Sequence, residues 1–435
     1  MNDKGLKTLF LILIIGFIDI NPDYIGGVTS VRTLRIPENS RIVNSICSGD
    51  NYSYLDRSIN NFIRKWELQG ASVAIAKDGK LVFARGYGSP DSKNIINVEP
   101  YHRFRVASIS KLITATAIMK LYEEGKLSLD DKVFGPNGIL NYAYFEDPRD
   151  KRVHTITIEH LLSHQCGWTT RWGDHMFMPH VVAASLGKET PVTTEDIVRF
   201  ALNKRLHFTP GSGRSYSNLG YAVLGLVVSE VSGMPYDQYC RKELFEPLGL
   251  FDFVLAKNLY EQKDPLEVMY FEPSNAIPLR SVYDSRDFVA ASNGGNDVEA
   301  LGGAGAWVGT APDLLRFMLS IDGFDSPEDI LSPESIRYMT SHGNGVAPVG
   351  WKGTTQNGYW WRTGSFAGTS AMMRRQPDGT AWVVLFNTNT WKQSMFPSDI
   401  SKMMSRAISG TRDWIGEDLF KFSLPVPIEP SLPIR

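Results

Sequence analysis

Three cysteines in 435 residues are too few for a disulfide framework, and Cys47, Cys166 and Cys240 form no C-x-x-C pair. Each is read as a thiol packed as a small hydrophobe; the count also allows one bridge with one thiol left over. Charge of one sign is lacking as well. Lys plus Arg number 45 against 47 Asp plus Glu, a formal net charge of −2, so nothing points to nucleic acid or an anionic membrane as partner. There is no internal repeat and no long run of like charge, which argues against scaffolding and tail-mediated roles. The helical pair His160 and His164 lacks the Glu that an H-E-x-x-H zinc site requires, so both are read as structural and no metal or cofactor is expected.

Only one hydrophobic run is long, Leu9 to Ile18, preceded by Lys4 and Lys7 and ended by Asp19. A bilayer span needs roughly 20 apolar residues, so the run fits a secretory signal with a positive n-region and a short h-region. No clean small-x-small cleavage site follows, which leaves an uncleaved membrane anchor as the alternative. Export, to a periplasm, a lumen or the outside, is expected. Asn51-Tyr52-Ser53 is a glycosylation sequon that matters only on a eukaryotic secretory route.

What is present begins at Leu55. Residues 1–50 read as leader and linker, 51–410 as the folded domain, and 411–435 as a Pro-rich peripheral tail. Leu55, Ile59, Phe62, Ile63 and Trp66 form one helical stripe. Two strands, 71–76 and 80–87, flank Asp78-Gly79, a tight-hairpin signal because both turn positions need positive φ. A second hairpin, 369–375 and 380–387 around Pro377-Asp378-Gly379, is followed by a helix over 398–408. Helices are predicted at 109–124, 157–164, 194–202, 219–231 and 235–245, with Gly125 and Gly233 placed as C-caps and Thr310-x-x-Asp313 opening another as a capping box. The pattern predicts an α+β architecture. An antiparallel sheet forms from both chain ends with two helices on one face, and a mostly helical lobe spans roughly 105–310. A cleft between the two is the expected ligand site.

Three segments carry chemistry. Ser108-Ile109-Ser110-Lys111 opens a strongly apolar helix. Positions i and i+3 share a helix face, so Lys111 stands beside Ser108. Burial lowers a lysine's pKa and makes its amine a base, and a helix N-terminus offers N–H groups to an oxyanion. A second S-x-x-K, Ser185 to Lys188, holds a Gly and precedes Thr190-Pro191, so no helix continues there. Tyr216-Ser217-Asn218 is the one Y-x-N in the chain: Tyr216 can shuttle a proton if a nearby cation lowers its pKa, and Asn218 can hold a substrate amide and Lys111. Trp361-Arg362-Thr363-Gly364-Ser365 precedes the second hairpin. There Gly364 would admit a substrate backbone, and Arg362 would grip a carboxylate. Trp307, Tyr359, Trp360 and Trp361 read as core before cleft.

Taken in order, Ser-x-x-Lys, Tyr-x-Asn and a basic-Thr-Gly strand resemble the serine β-lactamase and penicillin-binding-protein superfamily. The tyrosine form of the middle motif is similar to class C β-lactamases, D-alanyl-D-alanine carboxypeptidases, related esterases and animal β-lactamase-like proteins. The stretches 104–108, Gly125-Lys126-Leu127-x-Leu129-Asp130-Asp131, 156–164 and Gly302-Gly303 match that branch too, and the resemblance covers about 55–408. It implies Ser108 as acylated nucleophile, Lys111 and Tyr216 as its activators, and Asn218 as a substrate-orienting residue. It also implies an oxyanion hole from the N–H groups of Ser108 and Ser365, with Arg362 and Thr363 at the substrate's carboxylate. The family usually carries Lys or His at position 362. Arg cannot deprotonate, so it keeps an anchor role and loses proton transfer, which argues against antibiotic hydrolysis more than against catalysis. The expected function is a serine hydrolase cleaving an amide or ester, peptidase or amidase before esterase, on a small or peptide substrate with a carboxylate. A β-lactamase in the strict sense and a catalytically idle binding or self-assembling protein are the alternatives; oligomeric state is not legible.

Overall fold

The computed structural model describes residues 42–93, 95–284, 286–341, 348–392 and 395–421; the apolar leader and the Pro-rich end of the tail lie outside the described residues. The elements in order begin with α1 (Ser53–Lys65), β1 (Gly70–Lys77), β2 (Lys80–Gly88), β3 (Phe104–Arg105) and α2 (Ser110–Glu123). Then come α3 (Ile158–Leu162), α4 (Pro179–Leu186), α5 (Thr194–Leu202), α6 (Asn218–Ser232) and α7 (Tyr236–Cys240). Next are β4 (Val254–Leu255), β5 (Leu279–Arg280), β6 (Phe288–Val289), β7 (Trp307–Gly309), α8 (Ala311–Leu319) and α9 (Pro333–Thr340). The chain closes on β8 (Gly353–Thr354), β9 (Trp360–Phe366), β10 (Thr369–Arg375), β11 (Thr380–Phe386) and α10 (Phe396–Ser409).

This is an α+β fold. Its main sheet is antiparallel in the order β2-β1-β11-β10-β9-β8, so the first hairpin and the last lie side by side, Ala71 opposite Phe386 and Lys77 opposite Thr380. Asp78 and Gly79 turn the first hairpin at φ of 49° and 75°, the twist that matches right-handed strands. β1 and β11 are buried along nearly their whole length, which requires cover on both faces. On one face α1 packs against α10, with Phe62 stacked on Phe386 and Phe396 at centroid distances of 6.0 and 5.4 Å. α8 packs against β1 and β11. It opens on Thr310, whose side chain accepts from the Asp313 N–H, as the capping signal predicts. Each such buried large apolar side chain contributes roughly 1.5–3 kcal/mol.

Two expectations need correction. The middle is helical to Phe245, but from Leu250 to Ala306 the chain runs through short 3-10 and π turns and the strands β4, β5 and β6. That stretch is rich in Asn, Asp, Gly, Pro and Ser, which favour turns over helix. The described part of the presumed linker and tail is also not peripheral. Ile42, Cys47, Leu419 and Phe420 are buried. Asn44 bonds Gly86 and Val98, and the Tyr52 hydroxyl links Val82 to Ile415. Residues 42–50 and 411–421 therefore clasp the β1–β2 hairpin. All three cysteines are free thiols in buried positions. Among the described residues no helix is long and apolar enough to cross a membrane.

Candidate active site

α2 carries the first site residues because it is buried all round: Leu112, Ile113, Ala115, Ala117, Ile118 and Leu121 are fully enclosed, as an apolar helix without a polar face must be. A 3-10 turn over Ala107–Ile109 leads into it. Ala107 has φ of 49°, a left-handed backbone that costs a non-glycine residue about 1–3 kcal/mol, and it turns Ser108 out of the β3 direction onto the helix end. Ser108 is half-buried while Lys111 is fully buried. Their side chains meet at 3.2 Å, Lys111 Nζ donating to Ser108 Oγ. Nζ also donates to Asn218 Oδ1 at 2.7 Å and to the Ala304 carbonyl at 2.6 Å. Three acceptors match the three N–H donors of an ammonium. Burial still holds the Lys111 pKa below the usual lysine range.

The loop before α6 places the second motif. Ser217 caps α6 by accepting from the Gly220 N–H, which sets Tyr216 and Asn218 on either side of the helix start. Tyr216 Oη donates to Ser108 Oγ at 2.8 Å. Burial of that oxygen would raise its pKa, but the charges of Lys111 and Arg362 outweigh burial and bring it down to about 7. The phenol oxygen lies deep although the residue as a whole keeps some exposure. His164 packs against its ring at 4.7 Å and accepts from the Ser217 N–H through Nδ1. Burial, together with the nearby Arg362 and Lys111, keeps its imidazole neutral. His160 closes a capping box with Thr157. Both histidines thus have structural hydrogen bonds.

β9 supplies the third wall. A Cβ on Gly364 would lie 2.2 Å from the Val106 carbonyl oxygen and 3.2 Å from Ala107 Cβ. The protein's own nucleophile turn therefore requires a glycine at this position. Arg362 lies deep beside this turn. It is only 2% exposed. Its Nε donates to the Ser108 carbonyl at 2.8 Å and its Nη2 to Tyr216 Oη at 3.3 Å. It pins the nucleophile turn and charges the tyrosine's surroundings; it is not an anchor presented to solvent. Thr363 is half-buried and Ser365 exposed, and neither side chain hydrogen-bonds this cluster among the described residues. The structure thus joins Ser108, Lys111, Tyr216, Asn218 and Arg362, with Gly364 against their backbone. The second S-x-x-K behaves as expected: α4 ends before Gly187, and Lys188 pairs with Asp196.

Sequence reasoning missed four contributors. Asp174 Oδ2 accepts from Asn218 Nδ2 at 2.6 Å, which fixes the amide so that Oδ1 faces Lys111. The Ala304 carbonyl reaches Lys111 because Gly303 allows its turn to press on the Tyr221 carbonyl and Thr114, 2.9 and 3.0 Å from where a Cβ would sit; the Gly302-Gly303 pair was the available signal. Lys352 lies with Nζ 5.3 Å from the Tyr216 ring centroid. Phe177 meets Phe366 of β9 at 5.8 Å, joining the helical lobe to the sheet. An apolar cavity of about 490 Å³, lined by Trp168, Trp172, His175, Met178, Phe200 and Leu206 among others, adjoins the Asp174 turn; none of the clustered residues lines it.

A hydroxyl flanked by a lysine and a cation-bound tyrosine has the geometry in which a serine can be activated as a nucleophile. Comparison with known proteins gives the family. A beta-lactamase family model matches residues 55–400, and the chain belongs to that family, whose members share the β-lactamase and penicillin-binding-protein fold of serine hydrolases. Protein flp of Staphylococcus aureus (strain MW2) is 29% identical over 241 residues, 54% of this chain and 44% of that protein, so the chain spans less than half the length of this curated relative. The octameric penicillin-binding protein homologue from Pyrococcus abyssi superposes with a TM-score of 0.61 at 24% identity, covering 85% of this chain and 78% of that one. The D-amino acid amidase from Ochrobactrum anthropi SV3 superposes with a TM-score of 0.61 at 20% identity, covering 84% and 100%. At these identities the likeness is one of fold.

Proposed function

We propose that the protein hydrolyses an amide or ester bond through an acyl-enzyme on Ser108, with peptides and amides ahead of esters. The observation that carries this is Tyr216: its hydroxyl sits 2.8 Å from Ser108 Oγ, and the surrounding cations bring it to about 7. A general base works best when its pKa lies near the working pH. As Oγ bonds to the substrate's carbonyl carbon, its proton passes to Tyr216 Oη. When the tetrahedral intermediate collapses, the bond to the leaving group breaks and Tyr216 returns the proton to that group. Water then attacks the acyl-serine by the reverse relay. An amine must be protonated to leave, whereas an alkoxide's need is weaker, and a phenol poised near neutrality suits the harder case. Lys111 and Arg362 act as fixed cations that hold the phenolate and need not move. The D-amino acid amidase of the same fold gives the amide reading a precedent.

The test is a fluorophosphonate probe on the full chain, read by intact mass. Wild type is expected to gain one adduct and the Ser108→Ala chain none. An unlabelled, folded wild type would sink the proposal.

A further inference from the structure

We infer that Lys352, not Arg362, is the residue that pairs with a carboxylate on the substrate; this rests on the hydrolase reading of Ser108 and names part of its substrate. The position that the motif reserves for an anchor is already engaged. Arg362 is 2% exposed, with Nε on the Ser108 carbonyl and Nη2 on Tyr216 Oη. A substrate carboxylate reaching it would have to be stripped of water and would compete with both bonds.

Lys352 has the opposite character. It is exposed. Its backbone N–H donates to the Trp361 carbonyl at 2.9 Å, which fastens it to β9 beside Arg362. Its Nζ lies 5.3 Å from the centroid of Tyr216, the ring whose hydroxyl meets Ser108. Among the described residues its ammonium has neither an ion pair nor a side-chain hydrogen bond. Cations gather around this site: Lys111, Arg362, exposed Arg214 and Lys352 all act on the buried His164 beside Tyr216. Among the described residues the carboxylate joined to the cluster, Asp174, is engaged by Asn218 and by the Met176 N–H. An uncompensated positive field at an open face draws an anion. A lysine on a flexible four-carbon stem can follow that anion by several ångströms without disturbing β9.

The probe pair is N-acetylphenylalanyl-alanine and its C-terminal carboxamide, measured on the full chain in two ways. In turnover, the ratio of kcat/KM for the free acid over the amide is expected to favour the acid and to fall at least fivefold in Lys352→Met, with Lys352→Arg restoring most of it and Arg214→Met lowering it by clearly less than Lys352→Met. In binding, calorimetry on the Ser108→Ala chain is expected to show the same preference, lost in the Ser108→Ala, Lys352→Met double variant. Binding needs no acyl-enzyme, so an inert wild type would overturn the hydrolase reading while the calorimetry still judged Lys352. An unchanged acid-to-amide ratio in Lys352→Met, an equal slowing of both probes, or an equal fall in Arg214→Met overturns the assignment.

Discussion

Tyr216 and Tyr270 are two tyrosines with the same neighbour type and opposite chemistry. Each has a cation over its ring: Lys111 Nζ at 5.0 Å from Tyr216, and Arg105 Cζ at 4.4 Å from Tyr270. The difference is what each hydroxyl meets. Tyr270 Oη donates to the buried Glu267 carboxylate at 2.7 Å. Burial and that negative charge push its pKa well above the usual tyrosine value, against the pull of Arg105. Tyr216 Oη meets a serine and an arginine, with no carboxylate on it among the described residues, and lies at about 7. A cation alone does not make a tyrosine reactive; the cation must lack a competing anion at the oxygen. Tyr270 is also 4% exposed, closed to any substrate, whereas Tyr216 and Ser108 remain half-open.

The largest effect separates the two directly. Tyr216→Phe is expected to slow probe labelling of Ser108 by about 10²- to 10⁴-fold, the usual span for a lost general base. Tyr270→Phe should lower the melting temperature and leave the labelling rate of the folded chain within about threefold of wild type. Equal rates in the two variants would break the comparison.

A second test strips Tyr270 of its anion. The Arg105–Glu267 pair is 3.6 Å apart with both side chains at 2% exposure or less. Glu267→Gln leaves the guanidinium, among the described residues, with the carbonyls of Ser292 and Lys257 as its hydrogen-bond partners. Removing one member of a buried pair costs about 3 kcal/mol, to be read from the urea midpoint. A neutral result would break the comparison, because it would leave no charged Glu267 to act on Tyr270.

The smallest shift is the sharpest. With Tyr216 as base at about 7, the labelling rate should rise as pH climbs through that value, because only the phenolate accepts the serine proton. Arg362→Gln removes one cation and so raises the phenol's pKa. The rising limb should move up by about one unit, with roughly tenfold slower labelling at neutral pH. A limb that stays in place would exclude Tyr216 as the titrating group.

Much of this was legible because it is local. Lys111 stands beside Ser108 by helical spacing alone, and Tyr216 and Asn218 flank a helix start that Ser217 caps. The hairpins at Asp78-Gly79 and around Pro377-Asp378-Gly379 were readable from turn chemistry, and so was the sheet built from both ends. What was not legible depends on which surfaces meet. Nothing in Gly173-Asp174 announces a partner for Asn218, 44 residues away. Arg362 reads as a carboxylate anchor, and nothing in its strand announces the Ser108 carbonyl, 254 residues earlier, against its Nε. Gly364 suggests room for a ligand, and the room is filled by Val106.

The pairing of β1 with β11 has a consequence in time. During synthesis the first hairpin leaves the ribosome about 300 residues before Thr380, the partner of Lys77, exists. At roughly 5–20 residues per second this is a wait of about 15–60 s. Throughout it the β1 edge, with Val73, Ala74 and Ile75, has no strand beside it, the kind of surface that pairs with other chains. The nucleophile turn waits as well, since Arg362 arrives 254 residues after Ser108. A nascent chain therefore holds no assembled serine cluster until β9 has been made.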